Sequence, residues 1–213
     1  LMTVVSLQRN DASFNPGSGF NDRVTSVVLQ PDGRSIVSGR FTSFNGVTRN
    51  HIARLNPDGS LDATYATGPG FTGPVTTDLA LQPDGKVIVS GDFTAYNGSA
   101  RNLVVRLNIN GSLDASFNTG TDHNITGTGA LALQPDGKLL VGGGFTDFNG
   151  ADVYDLVRLN ANGTFDPSFN IGLGFDFPSD MNGAPTDMAV QPDGRVVVVG
   201  GFLWYDGLSP FVG

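Results

Sequence analysis

The chain has 213 residues, a formal net charge of −8 and no cysteine, which excludes disulfides and thiol chemistry and argues against a phosphate backbone as partner. All 20 acidic residues are Asp, Lys occurs only at Lys86 and Lys138, and there are 30 Gly and 12 Pro. Good helix formers are scarce and turn formers abundant, which predicts short strands, tight turns and almost no helix. No run of 18 apolar residues occurs, so no segment reads as a membrane-spanning helix.

Residues 1–23 carry Asp-x-Ser-Phe at Asp11 to Phe14 and read as the fourth strand of a preceding or closing unit plus a link. Thr25 to Leu29 is a short apolar run that ends at Pro31-Asp32-Gly33, a turn in which Gly supplies a positive φ. Ser35 to Phe41 then completes a hairpin. A longer loop with Asn45-Gly46 leads to a third strand over Ile52 to Leu55, and Pro57-Asp58-Gly59 turns the chain into a short fourth strand near Asp62 to Ala66.

That unit recurs. Gln-Pro-Asp-Gly-(Lys/Arg) begins at Gln30, Gln82, Gln134 and Gln191, in steps of 52, 52 and 57 residues. Phe-x-x-(Phe/Tyr)-(Asn/Asp)-Gly follows at Phe41, Phe93, Phe145 and Phe202, then Arg-Leu-Asn at Arg54, Arg106 and Arg158, then Asp-x-(Ser/Thr)-(Phe/Tyr) at Asp62, Asp114 and Asp166. Four motifs holding one order and phase identify a tandem repeat. The expected fold is all-β: a β-propeller of four-stranded antiparallel blades of about 52 residues, in an incomplete ring. Blades are expected at residues 24–75, 76–127, 128–184 (with a five-residue insertion) and, in part, 185–213.

Fifteen of the 20 aromatic residues occupy repeat-locked positions, among them Phe14, Tyr65, Phe117 and Phe169. One blade cannot bury such side chains alone, whereas stacked blades can. Each contributes about 1.5–3 kcal/mol when buried.

Together, Gln-Pro-Asp-Gly-Lys, Gly-Gly-x-Phe, Asn-Gly, Arg-Leu-Asn and Asp-x-Ser-Phe-Asn resemble the bacterial delta-60 repeat, a propeller-forming domain of largely unknown function. The resemblance covers Asp11 to Gly207. It implies a large secreted or cell-surface bacterial protein with many blades, and it brings no catalytic residues with it.

The best metal-like motif is the loop Asn56-Pro57-Asp58-Gly59-Ser60-Leu61-Asp62, where Asn56, Asp58, Ser60 and Asp62 place oxygens at alternate positions suited to Ca²⁺. Gly stands at its fourth position rather than the sixth, and hairpin turn chemistry accounts for the same residues. Arg54, Arg106 and Arg158 can pair with Asp62, Asp114 and Asp166, of their own or the next blade, by forked hydrogen bonds, or serve a ligand repeated blade by blade.

Catalysis needs an acid and a base outside the repeat. The non-repeated acids, Asp155 among them, form no signature; no hydrolase elbow, phosphate loop or metal-binding His pair is present, and His51 and His123 read as packing or surface residues. The insertion from Gly172 to Asn182 places Phe175, Asp176, Phe177 and Asp180 on an inter-blade loop, and Trp204 is a further non-repeated aromatic. These five are the candidate binding residues. The expected function is a non-catalytic extracellular or cell-surface scaffold (adhesin, fibre or sheath component) that needs no cofactor and partners other blades of the same protein or further subunits. Alternatives are a lectin-like glycan-binding propeller and, third, a propeller hydrolase.

Overall fold

A computed structural model of the chain describes residues 13–73, 76–120, 123–172, 174–176, 184–202 and 204–205. Among these residues all regular structure is strand and no helix occurs. Two compact units form. The first comprises Leu1–Asn102 and Arg106–Asp114, the second Leu103–Val105 and Ala115–Gly213.

In the first unit the strands are β1 (Val24–Leu29), β2 (Ser35–Gly39), β3 (Ser43–Phe44), β4 (Val47–Thr48), β5 (Ile52–Leu55), β6 (Phe71–Thr72), β7 (Thr76–Leu81), β8 (Val87–Gly91), β9 (Ala95–Tyr96) and β10 (Ser99–Ala100). Strand β11 (Leu103–Leu107) straddles the division between the units. Sheets run β1-β2-β5, β3-β4, β10-β9-β6 and β11-β8-β7. The first hairpin pairs Val27 with Val37 and Leu29 with Ser35, and β2 pairs Ile36 with Arg54. The second blade repeats that register, with Leu79 on Val89 and Leu81 on Val87.

The second unit holds β12 (His123–Leu133), β13 (Leu139–Phe148), β14 (Ala151–Asp152), β15 (Leu156–Leu159), β16 (Phe175–Asp176), β17 (Pro185–Val190), β18 (Val196–Gly200) and β19 (Trp204–Tyr205). Here β13 pairs with β12, β14 and β15, β17 pairs with β18, and β16 with β19. Strand β17 packs beside β12 and β13 as β7 packs beside β1 and β2.

The expected four-stranded blade is reduced to three strands and a bridge. Where a fourth strand was expected over Asp62 to Ala66, only Leu61 pairs, with Leu55; Leu113 and Phe165 do the same with Leu107 and Leu159. The cause lies in the next residue. The Asp62 carboxylate accepts the Thr64 backbone N–H at 2.8 Å, and Asp166 accepts that of Ser168 at 3.0 Å. A side chain that captures the backbone two residues on competes with the sheet ladder and bends the chain into a turn.

The Asn45-Gly46 loop is more ordered than expected. It closes β3 onto β4 with both residues in the left-handed region, at φ 48° and 77°, the geometry that a two-residue hairpin of this twist requires. Asn45 then reaches out of its turn, its Oδ1 accepting Gly19 N–H at 2.8 Å and its Nδ2 donating to Pro16 O at 2.9 Å. Asn149 likewise donates to Thr119 O at 2.6 Å. The repeated Asn is therefore both turn former and clasp.

The aromatic core is built as expected. Phe20 lies 4.2 and 4.6 Å from Phe41 and Phe44, and Phe71 lies 4.5 and 4.6 Å from Phe93 and Tyr96. In the second unit Phe175 packs 4.6 Å from Phe202. Tilted contacts at this separation add about 0.5–1.5 kcal/mol beyond burial.

Candidate functional site

The most regular polar feature is a carboxylate held between two cations, present in three copies. The Arg-Leu-Asn arginine lies on the third strand of each blade, and the Asp follows the turn that leads out of that strand. Arg54, Arg106 and Arg158 each donate from Nε to Oδ2 of Asp62, Asp114 and Asp166 at 2.8 Å. Of the two pairings weighed from sequence, each Arg therefore takes the carboxylate of its own repeat. The basic residue of the Gln-Pro-Asp-Gly turn is the second cation: Lys86 reaches Asp114 at 2.8 Å, Lys138 reaches Asp166 at 2.9 Å, and Arg34 lies 3.4 Å from Asp62. That third member was missed from sequence, although its phase in the repeat marked it.

The carboxylates are buried, and in Asp62 and Asp166 the other oxygen is engaged as well, by Thr64 and Ser168. Burial by itself raises the Asp62 pKa, but hydrogen bonds from Thr64 and Arg54 outweigh it and hold the group below the usual carboxylate range. The Ser168 hydroxyl and the Lys138 ammonium hold Asp166 lower still. Arg54 also stacks over Tyr65 at 4.5 Å and donates to Ile109 O at 2.7 Å, while Arg158 stacks over Phe169 at 4.7 Å. In the fourth copy Arg195 instead turns back on Asp193, with Nε 2.7 Å from its carboxylate, and is exposed.

The Ca²⁺-like loop folds as a turn. Asn56 N–H donates to Ser60 O at 2.8 Å, Gly59 N–H donates to Asn56 O at 2.9 Å, and Gly59 has φ 84°. Asp58 Oδ1 accepts both the N–H and the hydroxyl of Ser60, at 2.9 and 2.6 Å. Asp62 is taken by Arg54 and Thr64. Each carboxylate of the loop thus faces its own donors, and among the described residues no cluster of three metal-ligating His or Asp side chains forms.

Of the candidate binding residues on the insertion, Phe175 is buried in a cluster with Ala130, Ala132, Leu140, Leu156 and Met188, so it belongs to the core rather than to a loop. Asp176 and Trp204 are brought together as partners in the β16–β19 pair. Phe177 and Asp180 lie outside the described residues.

A recess of about 110 Å³ lies beside Phe175 and is lined by Asp152, Tyr154, Phe165, Phe169, Asn170 and Ile171, among others. Its origin is visible by comparison with the residues 104 positions earlier. There Asn50 donates to Pro69 O at 2.7 Å and accepts Phe71 N–H at 3.1 Å, closing the two loops. A Cβ added at Gly70 would stand 2.3 Å from Asn50 O, whereas one at the equivalent Gly174 would stand 3.7 Å from Tyr154 O. With Tyr in place of Asn the two loops stand farther apart, and Tyr154 is exposed.

The next residue is unusual as well. His51, Leu103 and Asp155, at one position of the repeat, all adopt the left-handed backbone, with φ 67°, 64° and 60°. Such a conformation in a non-glycine residue costs about 1–3 kcal/mol and persists only where the surroundings impose it. Here the carbonyl of residue 51 accepts Gly39 N–H at 3.1 Å and that of Asp155 accepts Gly143 N–H at 2.9 Å. Burial pushes the Asp155 carboxyl up to about 6. In the sequence Asp155 is a non-repeated acid without a signature, and nothing in its residue type signals either the left-handed backbone or the partial burial.

Three-stranded antiparallel blades in fixed register, cross-braced by repeated ion pairs, define a propeller repeat protein. The chain belongs to the family described as "Domain of unknown function (DUF5122) beta-propeller", whose model matches residues 30–65, 82–117, 134–169 and 191–209. The expectation of a propeller repeat of unknown function is thereby met. No curated protein matches the chain. Among solved structures it is similar to a protein of unknown function from Bacteroides caccae, at 14% identity and a TM-score of 0.36, covering 67% of this chain and 65% of that one.

Proposed function

We propose that the chain is a non-catalytic, extracellular or cell-surface scaffold whose blades present interaction surface. The observation that supports this most directly is the set of three Arg–Asp–(Lys/Arg) clusters. The repeat-locked charges brace the blades, because a buried carboxylate fully engaged by two cations and a hydroxyl is held ionised and has no proton to exchange near neutral pH. The acidic, low-Lys composition suits an exported surface protein. An antibody raised against the chain should label intact cells of the producing bacterium. Labelling only after lysis would sink the surface reading, and turnover of a glycoside or ester substrate would sink the non-catalytic one.

A second reading, glycan binding, is favoured by the recess, where an exposed Tyr154 stands beside Asp152 and Asn170. An aromatic face flanked by a few polar groups is the usual make-up of a small-ligand site. A glycan array separates the two readings: binding that disappears in Tyr154→Ala supports the lectin, and an array without signal removes it.

A further inference from the structure

The recess beside Phe175 is lined at two points by residues where the third copy departs from the repeat. Asp152 stands where the earlier copies have Thr48 and Ala100, and Tyr154 stands where they have Asn50 and Asn102. Binding residues collect on loops that a rigid frame leaves free to vary. Of the lining, Asp152, Tyr154 and Asn170 are exposed, whereas Leu156 is buried and Phe165 and Ile171 are half-buried. The recess therefore has a polar and aromatic rim over an apolar floor.

Size and chemistry together limit what can enter. At about 110 Å³ the recess is well below the roughly 300–1,000 Å³ that encloses a whole small ligand, and below the roughly 150 Å³ apolar cavity that holds benzene. It takes a short pendant group, while the body of the ligand rests outside against Tyr154. Asn170 Oδ1 accepts Gly172 N–H at 2.9 Å, so what this amide offers a ligand is its Nδ2 donor. Asp152 offers acceptor oxygens, and no Lys or Arg is among the lining residues, which disfavours an anion. The pendant must then be apolar at its tip, with a donor and an acceptor beside that tip. An acetamido group has this make-up: its methyl meets Leu156, Phe165 and Ile171, its N–H donates to Asp152, and its carbonyl accepts from Asn170.

We propose that this recess binds the acetamido group of an N-acetylated hexosamine, with a C–H face of the sugar stacked on the Tyr154 ring. The proposal rests on the glycan-binding reading and names the sugar class. A plain hexose has no methyl for the floor and leaves it wet. A free amino sugar can meet Asp152 but brings neither the methyl nor the carbonyl that Asn170 would hold. Discrimination against a ligand that lacks an apolar group and a hydrogen-bond partner is the usual way such a site selects.

The test uses the 213-residue chain itself, titrated with the methyl glycosides of N-acetylglucosamine, glucosamine and glucose and read by saturation-transfer NMR. N-acetylglucosamine should bind at least about tenfold more tightly than the other two, with its strongest saturation at the acetyl methyl. Asn170→Asp keeps the oxygen that Gly172 uses and removes the donor, and it should weaken binding by at least about tenfold. Tyr154→Ala should do the same, whereas Tyr154→Phe, which keeps the ring, should change it by less than about threefold. Circular dichroism checks that each variant is folded, and Asn170→Asp decides the matter should Tyr154→Ala unfold. Glucose or glucosamine bound as tightly as N-acetylglucosamine would overturn the acetamido assignment and leave the glycan reading standing. Binding that neither Asn170→Asp nor Tyr154→Ala alters would place it outside the recess and overturn the proposal. No saturation with any of the three at about 10 mM would overturn it too, and the glycan array then judges the broader reading separately.

Discussion

The loop pair Asn50–Phe71 and the loop pair Tyr154–Phe175 occupy the same place in the repeat and behave oppositely. In the first, one Asn ties two loops together through its side chain and its carbonyl. In the second, Tyr stands in place of Asn, the two loops lie farther apart, and a recess lined by Tyr154 and Gly174 opens there. The surrounding frame hardly changes: each copy keeps its Arg–Asp pair at 2.8 Å and a buried Phe on the far side of the loop. A repeat can thus carry a local site at small cost, because the stacked aromatics and charge clusters hold the blade and leave one loop residue free to vary.

If the frame is common to both regions, Phe71→Ala and Phe175→Ala should each cost about 3–5 kcal/mol in urea unfolding. A loss below about 1 kcal/mol at Phe175 would show that the third-blade frame is looser than the first. The clasp is the next largest effect. Asn50→Ala should destabilise by about 1–2 kcal/mol by removing a hydrogen bond between loops, whereas Tyr154→Ala should change stability by less than about 0.5 kcal/mol. Equal losses at the two positions would erase the distinction between them.

The smallest expected effect carries a sign that depends on pH. Asp155 holds its proton to about pH 6 in the folded chain and to about pH 3.9 when unfolded. Its contribution is therefore complete below about pH 4 and is lost as pH rises toward 6. Asp166 runs the other way: its folded pKa is lowered, so its contribution is complete above the unfolded value and is lost as pH falls below about 4. Asp155→Asn should raise stability at pH 7 by about 1 kcal/mol and flatten the pH 4–6 limb, leaving the acid limb in place. An unchanged pH 4–6 limb would contradict the assignment.

Much of the frame was legible in the sequence because its devices leave residue-type signatures. Asp-Gly and Asn-Gly mark the hairpins, Phe at fixed phase marks the core, and Arg and Asp eight residues apart mark the ion pair. What escaped depends on choices that residue type does not encode. The fourth strand shrank to a bridge because Asp62 and Asp166 captured backbone N–H groups that a strand would have used. The left-handed backbone at His51 and Asp155 is held by hydrogen bonding to the neighbouring strand, and the dissimilar side chains of His51, Leu103 and Asp155 conceal the shared conformation. The recess goes with a wider spacing between residues some twenty positions apart, which no local pattern reveals. Phe175 looked like an insertion aromatic, although its phase, shared with Phe20 and Phe71, already placed it in the core.

The central claim is that the repeated charges act on one another and hold the blades. A double-mutant cycle on Arg158 and Asp166, using Arg158→Met and Asp166→Asn in urea unfolding, tests it most directly. The account predicts a coupling of about 2 kcal/mol, with single-variant losses of about 1–3 kcal/mol, because Arg158→Met takes one of two cations from a buried carboxylate and Asp166→Asn leaves Arg158 and Lys138 without their shared anion. A coupling below about 0.5 kcal/mol, with both variants near wild-type stability, would contradict it and return these residues to the list of ligand-binding candidates.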